Sequence, residues 1–260
     1  MHSLPCKPRP NRCIYLLPQL RSRYEKGGER MKPIYEPRGK AKEYGDYAIN
    51  IYTGCPHECY YCFAPSVLRK VKDDFHRCVE PRKNIVEEVK RQIERDSITG
   101  KLVHLCFTCD PYPVGYDTKP TREIIKALKE SGNHVQILTK GDGRRDFDLL
   151  DENDWYGITL DGAECKAPKR ERLESLAEAH RRGIKTWVSF EPVTNSRQFF
   201  IDLHCVSLIV DKVKIGKLNY HPSEINWKAF GEQAESLCNA LGIDYYIKDS
   251  LRKEMEGENG

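Results

Sequence analysis

Three cysteines crowd into eight residues of this chain: Cys55, Cys59 and Cys62, in the run Gly54-Cys55-Pro56-His57-Glu58-Cys59-Tyr60-Tyr61-Cys62. An iron–sulfur cluster that only carries electrons takes four thiolate ligands. Three thiolates at this spacing suit three corners of a [4Fe–4S] cubane and leave one iron open to another ligand. A zinc knuckle is the competing reading. Structural zinc takes four ligands, however, and His57 is the only local candidate for the fourth. Three buried thiols without a metal are the remaining possibility.

The rest of the composition describes the compartment such a group would need. The chain has 260 residues, 39% hydrophobic and 10% aromatic, which suits one large domain with a real core. The apolar run Ile14-Tyr15-Leu16-Leu17 is far too short for a membrane span. The eleven cysteines are odd in number, and the first residues show no apolar h-region, so reduced thiols in a cytoplasm are expected rather than secreted disulfides. The net charge of +4, from 43 basic and 39 acidic residues, is compatible with nucleic acid and diagnostic of nothing. The run Lys166 to Arg172 reads as a solvated helix face, and a basic stretch lies between Arg21 and Lys42.

Residues 1–30 carry four prolines and no periodicity, and Lys26-Gly27-Gly28-Glu29-Arg30 stands directly before Met31. Translation is expected to start at Met31, with residues 1–30 as a disordered or non-native extension. A domain over 31–250 and a polar tail over 251–260 follow. Within the domain, strands are expected at 46–52, 102–109, 134–140, 156–160, 185–191 and 206–215, with a seventh at 243–247. Helical spacing links them, as in Ile85, Val86, Val89 and Ile93, or Leu173, Leu176, Ala177 and His180. Strands alternating with helices six times imply right-handed βαβ units and a parallel sheet. The expected fold is α/β, a partial (βα)6 barrel of the TIM type.

The cysteine spacing, with an aromatic Tyr61 before the last cysteine, resembles the signature of the radical SAM superfamily. Asn50-Ile51-Tyr52-Thr53-Gly54-Cys55, Thr108-Cys109-Asp110-Pro111-Tyr112, Ile137-Leu138-Thr139-Lys140, Gly157-Ile158-Thr159-Leu160-Asp161 and Phe190-Glu191-Pro192-Val193 follow in order. Together they resemble the branch that holds spore photoproduct lyase and the DNA repair photolyase-like proteins. Many members of that branch carry Glu-Pro-Arg-Ala after the fourth strand, where this chain has Glu164-Cys165-Lys166-Ala167. The resemblance implies a [4Fe–4S] cluster, S-adenosylmethionine on its open iron, and an electron donor such as flavodoxin or ferredoxin.

In a parallel barrel the chemistry lies at the carboxyl ends of the strands. Alternation along the second strand turns His104, Cys106 and Thr108 inward and Val103, Leu105 and Phe107 toward the helices. Thr159 and Asp161 fall inward on the fourth strand, and Trp187, Ser189 and Glu191 on the fifth. Lys140 ends the third strand and Lys214 lies near the end of the sixth. For the cofactor that the resemblance implies, Thr108 and Asp110 are candidates for the methionyl ammonium and Lys140 for the carboxylate. Thr159, Ser189 and Glu191 are candidates for ribose hydroxyls, and Tyr61 for packing near the adenine. Such residues equally serve to solvate a wide barrel or cap helices. Cys106, with Cys109 as rival, is the candidate hydrogen-atom donor to a substrate radical, against a plain role as a small buried hydrophobe.

Three functions are therefore in play. One is a radical enzyme acting on a nucleic-acid base or lesion, which must be flipped out of a duplex to be reached. The second keeps that chemistry on a peptide or small metabolite. The third is a non-catalytic metal-binding module.

Overall fold

The computed structural model describes residues 32–257 apart from Asp46 and Glu164; the expected extension over 1–30 lies outside the described residues. Seven strands form a single all-parallel sheet: β1 Tyr47–Ile49, β2 Leu102–Leu105, β3 His134–Thr139, β4 Trp155–Thr159, β5 Lys185–Val193, β6 Lys212–Lys217 and β7 Asp244–Ile247. Their order in space is their order in sequence, so every crossover advances the sheet by one strand on the same side. β1 and β7 remain edges among the described residues, and the result is the open, partial barrel anticipated from the alternation, with the seventh strand present.

Among the described residues, eight helices accompany the sheet: α1 Ala64–Val67, α2 Lys72–Arg77, α3 Ile85–Asp96, α4 Lys119–Glu130, α5 Lys169–Arg181, α6 Ser196–Val206, α7 Trp227–Leu241 and α8 Asp249–Glu256. A 3-10 segment, Arg144–Leu149, replaces a full helix between β3 and β4. The larger helices bury their apolar stripe against the sheet, as with Ile85, Val89 and Ile93 of α3. α5 is rotated from the expected face: Arg172, Ser175, Leu176 and Ala179 are buried, whereas His180 is exposed. The cause is Arg172, whose guanidinium donates to the Thr159 carbonyl at 2.5 Å. This arginine therefore belongs to the interior, not to a solvated face.

Two further boundaries differ from the sequence reading. β6 begins at Lys212, because α6 runs on through Val206. The part of the expected polar tail over 251–256 belongs to α8, which packs on α7 and buries Leu251 fully. Inside the barrel, Gly157 of β4 pairs with Trp187 of β5, and a Cβ built on Gly157 would stand 2.2 Å from the indole Nε1. The missing side chain lets the indole lie on the strand and donate to the Ile137 carbonyl at 2.9 Å. Ahead of the sheet, Tyr35 exchanges both backbone hydrogen bonds with Ala48 and covers the β1 edge. The 3-10 turn Gly39–Tyr44 then carries Tyr44 into the barrel.

Candidate active site at the carboxyl ends of the strands

The cysteine loop leaves β1 and is pinned from below by α2. The Cys55 amide donates to the Phe75 carbonyl at 3.2 Å, His76 Nδ1 meets the Cys55 carbonyl at 2.8 Å, and the Cys62 amide donates to the Cys59 carbonyl at 3.0 Å. Gly54 makes this approach possible, since a Cβ there would stand 2.3 Å from the Phe75 carbonyl oxygen. α1 and α2 were not legible in the sequence, each having fewer than two turns. Among the described cysteines, Cys55, Cys59 and Cys62 are free and partly exposed. Burial pushes the Cys55 and Cys62 thiols up, so metal loading here releases protons.

Asp110 ties the loop to the sheet. One carboxylate oxygen accepts from the Thr139 hydroxyl at 2.5 Å and the Tyr112 amide at 2.8 Å; the other accepts from the Lys140 amide at 2.7 Å and meets His57 Nε2 at 3.0 Å. Burial acts to raise this carboxyl, but His57, the Lys140 amide and Thr139 hold it below the ordinary carboxylate range. With four partners in place, Asp110 has no lone pair left for a substrate ammonium. In this structure it positions the loop while still lining the cavity. His57, the candidate zinc ligand, is the other half of this clamp.

Lys140 is also placed differently from the expectation. Its ammonium is buried and donates to the Cys59 sulfur at 3.2 Å, to the Tyr61 hydroxyl at 2.7 Å, and to Asp161. Tyr61 likewise donates to Asp161, so its ring is fixed beside the cysteines by a carboxylate that the sequence placed inward without a role.

The remaining candidates converge. Cys55, Cys59, Cys62, Tyr61, Cys106, Thr108, Cys109, Thr159, Ser189 and Glu191 all line one cavity of about 670 Å³, a size usual for small-molecule sites. The Thr108 hydroxyl is buried there without a protein partner. Phe107 lines the cavity too, rather than facing the helices. β2 ends at Leu105, and Asn50 Oδ1 accepts the amides of Phe107 and Thr108 at 2.8 Å each, so strand alternation no longer applies. Cys106 and Cys109 both border the cavity. Burial raises Cys106 well above its ordinary value; Cys109 is brought below it, because Cys106 and the Tyr52 amide, 3.3 Å away, donate to its sulfur and outweigh burial.

The barrel floor holds residues that sequence reasoning missed. Tyr44 donates to Glu191 at 2.5 Å, and Lys248 pairs with Glu191 at 2.6 Å and Glu43 at 3.0 Å. Glu191 is thereby engaged from two sides, although it still faces the cavity. Lys214 lies 4.2 Å from the Tyr44 ring centre and donates to the Glu43 carbonyl at 2.9 Å. No local pattern marks Tyr44 or Lys248, because their partners are more than fifty residues away.

Residues 49–194, more than half of the chain, match the radical SAM superfamily. The chain belongs to the radical SAM superfamily. An uncharacterized protein of Methanocaldococcus jannaschii is 28% identical over 230 residues, covering 79% of this chain and 84% of that protein. An uncharacterized protein of Mycobacterium tuberculosis is 35% identical over 114 residues, covering 41% of this chain and only 33% of its relative. Among solved structures, spore photoproduct lyase complexed with dinucleoside spore photoproduct shares the fold with a TM-score of 0.61 at 12% identity, covering 82% of this chain and 79% of that one. Streptococcus suis SuiB bound to S-adenosylmethionine does so with a TM-score of 0.57 at 10% identity, covering 77% and 49%.

The residues of this radical SAM enzyme fit the cofactors of its superfamily, SAM and an iron–sulfur cluster. Four ligands on one zinc at about 2.3 Å would draw the sulfurs to within about 4 Å of one another. Among the described residues, the one trio of ligand atoms lying within 4.8 Å of each other is His134, Asp151 and Asp154, at the opposite ends of the strands. Cys55, Cys59 and Cys62 do not form such a compact trio; they bring three thiolates to one cavity that Thr108, its hydroxyl unpartnered, also lines. Among the described residues no helix is long and apolar enough to cross a membrane.

Proposed function

We propose that Cys55, Cys59 and Cys62 hold one [4Fe–4S] cluster with SAM on its open iron, and that the enzyme abstracts hydrogen from a nucleic-acid base held in the cavity. The observation that carries this reading is the convergence of the three cysteines, the Thr108 hydroxyl and the Cys106 thiol on one cavity. When bound, the cofactors supply one-electron cleavage of the sulfonium and hence a hydrogen-abstracting radical; the electron comes from a flavodoxin- or ferredoxin-type carrier. The protein positions and shields. Thr108 would accept from the amino group of SAM, Thr159, Ser189 and Glu191 would serve its ribose hydroxyls, and Tyr61 would pack near the adenine, all of them lining the same cavity. Cys106 would return a hydrogen atom to the substrate radical: its S–H bond breaks, a C–H bond forms and the unpaired electron passes to the Cys106 sulfur, where one electron from the same type of carrier and a proton from solvent restore the thiol. Cys109 is the alternative donor.

Exposed aromatic side chains at the cavity favour a base as substrate. Phe63 and Tyr220 line it with exposed rings, as do the cations Arg38 and Lys217. Bases stack on such rings, and cations track the phosphates. Anaerobic reconstitution with iron and sulfide, followed by reduction with SAM, is expected to yield 5′-deoxyadenosine. Cys59→Ala should lose the cluster and this product together. Full cluster retention in Cys59→Ala, or zinc as the stable metal, would refute the assignment. Transfer of deuterium into 5′-deoxyadenosine from labelled oligonucleotides supports the base reading; transfer only from labelled peptides or metabolites overturns it.

A further inference from the structure

We propose that Lys140 tunes the reduction potential of the cluster by donating to the Cys59 sulfur, with Asp161 as the opposing charge, and does not bind the carboxylate of SAM. The inference rests on the cluster assignment above and adds a role for two residues toward it.

An ammonium has three N–H bonds and no acceptor capacity. All three of those on Lys140 are spent, on Cys59 Sγ at 3.2 Å, on the Tyr61 hydroxyl at 2.7 Å, and on Asp161. The side chain is buried and its backbone is fixed, the Lys140 amide donating to Asp110 at 2.7 Å. Binding a carboxylate would require giving up one of these partners. Hydrogen bonds to the sulfurs and local charge are among the chief determinants of cluster potential. A cation that donates to a ligating sulfur draws electron density from it and favours the reduced cluster. Asp161, also buried, does the reverse: it holds a full negative charge against the same ammonium and cancels part of its field. Tyr61 hydrogen-bonds to both and keeps the pair in register.

Two substitutions should therefore move the potential in opposite directions. Lys140→Met removes the donor and leaves Asp161 uncompensated, so the cluster becomes harder to reduce. Asp161→Asn keeps the shape and frees the ammonium, so the cluster becomes easier to reduce. A residue that only braced the loop would not produce shifts of opposite sign.

The test is an EPR-monitored redox titration of the reconstituted full chain without SAM, with iron and sulfide content measured for each variant. At a fixed potential, the reduced-to-oxidised ratio is expected to fall at least tenfold in Lys140→Met, a shift of about 59 mV for one electron. It should rise in Asp161→Asn and stay near the wild-type value in Lys140→Arg. SAM affinity, measured by equilibrium dialysis on the same samples, should change little in Lys140→Met. Equal potentials in all variants with intact clusters overturn this inference and leave the cluster assignment standing, as does an unchanged potential with a large loss of SAM affinity. Failure of the wild-type chain to take up iron and sulfide overturns the cluster assignment itself, and this inference with it. Should Lys140→Met not load, the Asp161→Asn titration decides alone: no upward shift refutes the proposal.

Discussion

His104 gives the sharpest prediction about the interior. It lies on the cavity floor, 1% exposed, with its ring centre 4.4 Å from that of Phe107 and 5.3 Å from that of Tyr44. Burial, and after it the Lys214 ammonium, lowers its pKa from an ordinary 6.5 to about 3. The folded chain therefore keeps a neutral imidazole down to about pH 3, while the unfolded chain takes up a proton below 6.5. Stability conferred by this difference is fully present above pH 6.5 and is lost as pH falls toward 3. Each pH unit in that window costs about 1.4 kcal/mol, so about 2 kcal/mol is lost between pH 6.5 and pH 5. His104→Gln cannot titrate. It loses ring stacking, a constant offset, but not the slope. Urea denaturation of both proteins from pH 5.0 to 7.5 isolates the residue, since all other groups contribute equally to each. As pH falls from 7.5 to 5.0, the stability of the variant relative to wild type should improve by about 2 kcal/mol. Parallel curves would refute the argument that this histidine is buried uncharged.

Four other outcomes follow from the same geometry. Lys214, lowered to about 8 by burial and by the neighbouring Lys248, costs stability while it stays protonated in the fold; Lys214→Met should stabilise the chain by about 2 kcal/mol at pH 7, after loss of its bond to the Glu43 carbonyl. Wild-type stability should also rise from pH 8 to 10.5, where the unfolded lysine still binds its proton, and the variant should lack that rise. Asp110→Ala leaves His57, Thr139 and two amides without their acceptor, so denaturation should show a loss of about 3 kcal/mol or more, with iron retention falling alongside. Gly157→Ala displaces the Trp187 indole from its seat and its bond to Ile137, costing about 3 kcal/mol, readable in tryptophan fluorescence and urea titration. Cys106→Ala should leave SAM cleavage intact and alter the substrate product; normal products from both Cys106→Ala and Cys109→Ala would exclude either thiol as donor.

The superfamily and the parallel α/β architecture were legible in the sequence, because the three-cysteine loop and the strand and helix periods rest on local information. Cysteine spacing is set by one loop, and strand and helix periods by the elements themselves. Alternation placed Ser189 and Glu191 toward the cavity for the same reason, since β5 keeps its register as far as Phe190. It failed for Phe107, where the sheet ends two residues earlier and Asn50 takes over the backbone. The charge run that read as a solvated helix face misplaced Arg172, whose buried guanidinium answers a carbonyl on another element. Asp110 and Lys140 were named as site residues, but their partners came only with the fold. His57, Thr139, Cys59 and Asp161 lie between 21 and 81 positions away and meet them only when the carboxyl ends of β2, β3 and β4 are brought side by side. Residue type and spacing determined what chemistry the chain can hold. Which side chains spend their hydrogen bonds on one another, and which remain free for a ligand, was decided by tertiary structure, because a buried polar group takes whichever partner the packing brings within 3 Å.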